Sequence, residues 1–116
     1  MKKTISIVSP VYNESAGLET YYVEMLKAIS TPRFSAYDVE IILVDNASTD
    51  DSAKYLEAIA LKDSRFKIIF NARNVGVYLS AFNALHYACG DAVFLMVPSD
   101  LQDPPEVVTE MLRRFR

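Results

Sequence analysis

Four short runs of β-branched and aromatic apolar residues recur along the chain, each ending in a polar cluster, and this recurrence restricts the fold more than any other feature. The runs are TISIVS (residues 4–9), VEIILV (39–44), KIIF (67–70) and AVFLMV (92–97). Runs this short and this rich in Val, Ile and Phe fit buried strands. Between them the apolar residues take a helical period: Leu18, Tyr22, Met25, Leu26 and Ile29 in a first segment, Ala53, Leu56, Ile59 and Ala60 in a second. A third segment, from about Val77 to Ala88, carries Leu79, Phe82, Leu85 and Tyr87 and stops at Gly90. A fourth helix is predicted from Asp103-Pro-Pro-Glu106, where Asp103 can cap, proline suits the first turn and Glu106 can close a capping box. Its apolar residues Val107, Val108, Met111 and Leu112 would face inward. Strands and helices in alternation predict an α/β fold, a Rossmann-like open parallel sheet with right-handed crossovers and helices on both faces.

With 116 residues, 51% of them hydrophobic, the chain can bury one core, so one domain is expected. Its 12 basic and 15 acidic residues leave a net charge of -3 with no basic block, which argues against a nucleic-acid partner. The single cysteine, Cys89, excludes an intramolecular disulfide, and with the single histidine, His86, it supplies too few soft ligands for a structural zinc site. Both residues are expected to be packing or surface. The apolar run of the opening MKKTISIVSPVYNE stops at Pro10, too short for a signal peptide. No stretch approaches the roughly 18 to 20 apolar residues of a membrane helix. A cytoplasmic domain is expected.

In an open parallel sheet, ligands bind beyond the carboxyl ends of the strands. Here each strand end carries chemistry: Ser9 to Glu14 after the first, Asp45 to Asp50 after the second, Asn71 to Gly76 after the third, and Ser99 to Asp103 after the fourth. Asn13, Glu14 and Ser15 could cap the first helix, and Ser48, Thr49 or Asp50 the second. Capping does not explain Asp45, an acidic residue at the very end of a buried run, where a carboxylate needs a partner or a ligand. Arg73 could pair with a carboxylate or meet a diphosphate. Asp100, Gln102 and Asp103 make an oxygen-rich loop suited to Mg²⁺ or Mn²⁺ held partly by substrate phosphates.

The segments ISIVSPVYNE, VDNASTD, NARNVG and above all SDLQDPPE, in this order, resemble family 2 glycosyltransferases of the GT-A fold. The resemblance is nearest to the branch that transfers sugars to polyprenyl phosphates, and it runs from Ile5 to about Leu112. It implies strand order 3-2-1-4 and a nucleotide-diphosphate sugar as donor. By position it places Pro10, Tyr12 and Glu14 around the nucleoside, Asp45 on the base, Arg73 and Gly76 beside the nucleotide, and Ser99 and Asp100 in the family's Asp-x-Asp motif. Asp100 and Gln102 would hold the cation, Mg²⁺ or Mn²⁺. The first aspartate of that motif falls on Pro98, which has neither a side-chain oxygen nor a backbone N–H. The acceptor half, with the general base, would follow Arg116, so no catalytic residue is assigned in residues 1–116.

The resemblance implies an inverting transfer to a polyprenyl phosphate or a saccharide, in cell wall biogenesis. Membrane contact would come only through the part beyond Arg116, at the inner face of the cytoplasmic membrane. Homo-oligomerisation is left open. Pro98 supports an alternative, a non-catalytic nucleotide-sugar-binding or assembly module. A dinucleotide-dependent oxidoreductase is disfavoured, because PVYNES stands where Gly-x-Gly-x-x-Gly would be needed and the chain has only three glycines.

Overall fold

The computed structural model describes residues 2–95, the side chain of Val77 apart. Strand β1 (Lys3–Val11) leads through helix α1 (Leu18–Ile29) and a 3₁₀ turn (Pro32–Ala36) to β2 (Tyr37–Asp45). Helix α2 (Ser52–Lys62) leads to β3 (Phe66–Phe70), and α3 (Val77–Leu85) to β4 (Ala92–Leu95). All the pairings are parallel and the order is β3-β2-β1-β4, as the resemblance implied. Parallel order follows from the helical crossovers, since a parallel neighbour cannot be reached by a hairpin. The expected fourth helix, from Asp103, and the last two residues of the run 92–97 lie outside the described residues.

The central strands are buried on both faces, which is why their sequences are continuously apolar. Ile5, Ile7, Ile41 and Leu43 point to the face covered by α1 and α2, where Leu18, Met25, Leu56 and Phe34 complete the larger core. Val8, Ile42 and Val44 point to the other face and meet Ala84 of α3. The register pairs Ile7 with Ile41 and Val8 with Ile42, so each face is apolar across both strands. On α1 the buried stripe includes Tyr21, while Tyr22 is only partly buried and packs edge-on against Phe66 at 5.0 Å. The 3₁₀ turn, which carries Phe34 into the core, is not signalled by any apolar period in the sequence.

Helix α3 corrects the expected stripe. Leu79, Phe82 and Tyr87 are more than half exposed and Leu85 is exposed as well, whereas Ser80, Ala81 and Ala84 are fully buried. Small residues let this helix sit close on the sheet; the large ones turn away from it. The helix also ends earlier than predicted. Beyond Leu85 the N–H groups of His86, Tyr87 and Ala88 donate three residues back, to Asn83, Ala84 and Leu85, which tightens the chain out of the α-helical pattern. Gly90 serves closeness of approach rather than only a helix stop. A Cβ there would stand 2.5 Å from Ser6 Oγ, 2.7 Å from Ser6 N and 2.8 Å from Ala92 O.

Candidate nucleotide-binding rim

The loops after β1 and β2 are stitched into one surface. The backbone N–H groups of Asn13, Glu14 and Ser15 donate in turn to Ser48 Oγ (2.9 Å), Ser52 Oγ (2.9 Å) and Asp50 Oδ2 (3.1 Å). In the other direction Asn13 Oδ1 accepts from the N–H groups of Thr49 (2.8 Å) and Asp50 (3.3 Å). These polar residues therefore bind across loops, and neither helix has a side-chain cap at its N-cap residue, Gly17 or Asp51. Asn13 turns its side-chain oxygen to the loop after β2, and at the start of α1 the Glu14 carbonyl accepts from the N–H groups of Gly17 and Leu18. Asp50 comes nearest to the expected cap, accepting from the N–H of Ser52, the first residue of α2, at 2.9 Å. Loss of some hydration pushes its carboxyl up, but the bonds from Ser52 and Ser15 outweigh that and lower its pKa to about 2.

The loop after β3 joins the same rim. Asn71 N–H donates to the Asp45 carbonyl at 2.9 Å, as Asn46 N–H does to Val11 at 2.8 Å, so the ends of β1, β2 and β3 are held together. The Asn46 carboxamide, which is buried, then reaches into residues 71–76. The sequence places Asn46, Asn71 and Asn74 within the strand-end clusters but gives none of them a role. The only signal is the density of Asn at strand ends, a side chain that both donates and accepts.

The residues expected to bind the nucleotide fall at this rim as far as they are described. Pro10 is buried within β1, and Tyr12 is exposed just beyond it. Glu14 is half-buried at the stitched turn. Asp45 is buried, its two carboxylate oxygens accepting from Ser48 Oγ at 2.5 Å and Ser48 N–H at 3.3 Å. The partner that burial demands is thus present inside the loop. Arg73 is exposed and, among the described residues, makes no ion pair, which leaves the expected carboxylate partner without support there. Gly76 has φ of 86°, and a Cβ at this position would meet nothing within 4 Å, so glycine is needed for backbone conformation, not for space. Ser99, Asp100 and Gln102 lie outside the described residues. Among the described residues no group of three or more His, Cys, Asp or Glu side chains is placed to hold a metal ion, and no helix is long and apolar enough to cross a membrane.

The family model described as Glycosyl transferase family 2 matches residues 6–116. An uncharacterized glycosyltransferase of Bacillus subtilis, YkcC, is 36% identical over 111 residues, covering 96% of this chain and 33% of that protein. A prophage bactoprenol glucosyl transferase homolog of Escherichia coli is 30% identical over 112 residues, covering 97% of this chain and 35% of that protein. The chain thus spans about a third of the length of these relatives. Among solved structures, S. aureus TarS 1-349 in complex with UDP superposes with a TM-score of 0.65 at 26% identity, over 97% of this chain and 31% of that one.

Proposed function

The chain belongs to glycosyl transferase family 2, and from that premise we propose that residues 1–116 form the donor-binding part of an inverting glycosyltransferase whose donor is a nucleotide-diphosphate sugar. The observation that carries this reading is the rim itself. Three strand-end loops are hydrogen-bonded into one surface, which carries a buried carboxylate at Asp45 and, at Arg73, a guanidinium with no ion pair among the described residues. Such a surface offers a hydrogen-bond acceptor to a base and a planar cation to a diphosphate. Pro10, Tyr12 and Glu14 would line the nucleoside, and Gly76 would shape the loop on the phosphate side.

In the proposed reaction an acceptor oxygen bonds to the anomeric carbon as that carbon's bond to the diphosphate oxygen breaks, inverting the centre. Arg73 takes up charge on the leaving diphosphate. The name of the E. coli relative favours a polyprenyl phosphate acceptor. Its oxygen is already anionic, so no strong base is needed to activate it. Mg²⁺ or Mn²⁺ ligation by Asp100 and Gln102 is proposed on the sequence resemblance alone, and no step above depends on it. The test is calorimetric titration of UDP, GDP and other nucleoside diphosphates into the chain. Saturable binding of one of them is expected. A folded chain that binds none sinks the reading, and binding without sugar transfer by the protein it belongs to favours the non-catalytic module.

A further inference from the structure

The Asn46 side chain is buried at 4% exposure, and its described hydrogen bonds all go to the loop after β3. Its Oδ1 accepts from Val75 N–H at 3.0 Å and from Asn71 Nδ2 at 3.2 Å. Its Nδ2 donates to Asn74 Oδ1 at 2.9 Å, and that same oxygen accepts from Gly76 N–H at 2.8 Å. The second Nδ2 proton of Asn71 goes to the buried Ser80 Oγ of α3 at 2.7 Å. A backbone N–H can only donate, so Val75 fixes which end of the Asn46 amide is oxygen, and Gly76 does the same for Asn74. Asn71 donates to both ends of this link, to Asn46 and to Ser80, and Asn46 both accepts and donates. The link runs from the residue after Asp45, through the loop that carries Arg73, into the first turns of α3.

We infer that Asn46 is a positioning residue for the nucleotide: its carboxamide holds loop 71–76 at a fixed place beside Asp45, and it acts on a bound diphosphate through Arg73. The inference rests on the donor-binding reading above. Without the carboxamide, Val75 N–H loses its acceptor, Asn71 loses one of two and Asn74 loses a donor, and no other described hydrogen bond ties the tip of the loop to β2. Arg73, whose own side chain is exposed, would then spread over many positions and its contact with phosphate would weaken. Aspartate at this position, equal in size, has no proton for Asn74 Oδ1.

The experiment is calorimetric titration of UDP and GDP into the chain and its Asn46→Ala and Asn74→Ala variants, each also combined with Arg73→Ala, well below every melting temperature. Asn46→Ala and Asn74→Ala are each expected to weaken binding about tenfold, and to weaken it far less once Arg73 is already Ala. A purely structural role would lower the melting temperature and leave affinity intact, and that result overturns the inference. Full additivity with Arg73→Ala overturns it too, since Asn46 would then not act through Arg73. Should Asn46→Ala not fold, Asn74→Ala decides, because Asn74 is exposed and its loss removes the bond from Asn46 Nδ2 to the residue next to Arg73. A wild-type chain that binds no nucleotide overturns this inference and the proposed function together, whereas wild-type binding with unaffected variants overturns this inference alone.

Discussion

Ala47 takes φ of 59°, in the left-handed region where a Cβ crowds the following carbonyl. Asn13, on the facing loop, does the same at φ of 50°, but asparagine tolerates that conformation. The strain at Ala47 is held by its neighbours: Asn46 is bonded on one side, and Ser48 is bonded to Asp45 and Asn13 on the other. Ala47→Gly is therefore expected to stabilise the chain by about 0.5–1 kcal/mol, the strain relieved outweighing the added freedom of the unfolded chain. Denaturant midpoints with an unchanged slope would measure it. Asp45 poses a different question, because Ser48 already bonds both its oxygens. If one oxygen also accepts from the base of the donor, Asp45→Asn weakens nucleotide binding by about 1.5–3 kcal/mol. Ser48→Ala is the control, removing the internal Oγ bond while keeping the carboxylate. Equal affinity losses in both variants would make Asp45 a loop brace and not a base contact.

Between elements, a polar joint lies away from the rim, on the sheet face opposite α1 and α2. Glu40 of β2 is buried and accepts from Ser6 of β1, from Cys89 N–H at 2.6 Å and from Lys67 of β3 at 2.8 Å, so one carboxylate ties three strands to the turn before β4. Burial pushes this carboxyl up, and the bonds from Lys67, Ser6 and Cys89 together overcome it, leaving its pKa below the usual 4.5. Lys67 is raised in turn, chiefly by its bond to Glu40. Since Glu40 binds its proton less readily folded than unfolded, its contribution is present above pH 4.5 and is lost as pH falls through the lower folded value. The Lys67 contribution has the opposite sign. It is present below 10.5 and is lost as pH rises through the higher folded value. Glu40→Gln is expected to cost about 1–3 kcal/mol at neutral pH and to flatten the loss of stability below about pH 4.5. Parallel acid-unfolding curves for variant and wild type would show that the carboxylate does not titrate with folding. The same joint explains Gly90, whose N–H donates to Ser6 Oγ at 2.8 Å. Gly90→Ala places a methyl group against backbone atoms of Ser6 and Ala92, and a loss of about 1–3 kcal/mol or more is expected in thermal unfolding.

For the whole molecule the decisive measurement couples two ligands. A site formed by Asp100 and Gln102 alone would have one carboxylate and one amide, so Mn²⁺ should bind weakly without nucleotide and more tightly once diphosphate oxygens complete its shell. Linkage requires Mn²⁺ to strengthen nucleotide binding by the same factor. Nucleotide titrations that superimpose with and without Mn²⁺, while the nucleotide does bind, would remove the metal from the proposal and favour the non-catalytic module. How much of this molecule the sequence determined follows from range. The central strands were legible because burial on both faces demands unbroken apolar runs. The edge strands β3 and β4 were legible from their β-branched and aromatic residues although these strands are only partly buried, and parallel pairing was legible because each connection is long enough for a helix. The convergence of the polar strand-end clusters after β1, β2 and β3 on one rim was legible too, since in a parallel sheet these strands end on the same side. The tertiary structure decided what depends on partners distant in the chain. It turned the large residues of α3 outward and put Ala81 and Ala84 on the sheet, because helix-to-sheet distance, which periodicity does not contain, selects for small side chains. It also gave Asn13 and Ser48 to neighbouring loops instead of to their own helices, divided Asp50 between its own helix and the loop after β1, and gave Asn46 to the loop after β3. A polar side chain at a strand end has several local partners within reach, and only the packing of three strands side by side brings the cross-loop partner nearer than the local one.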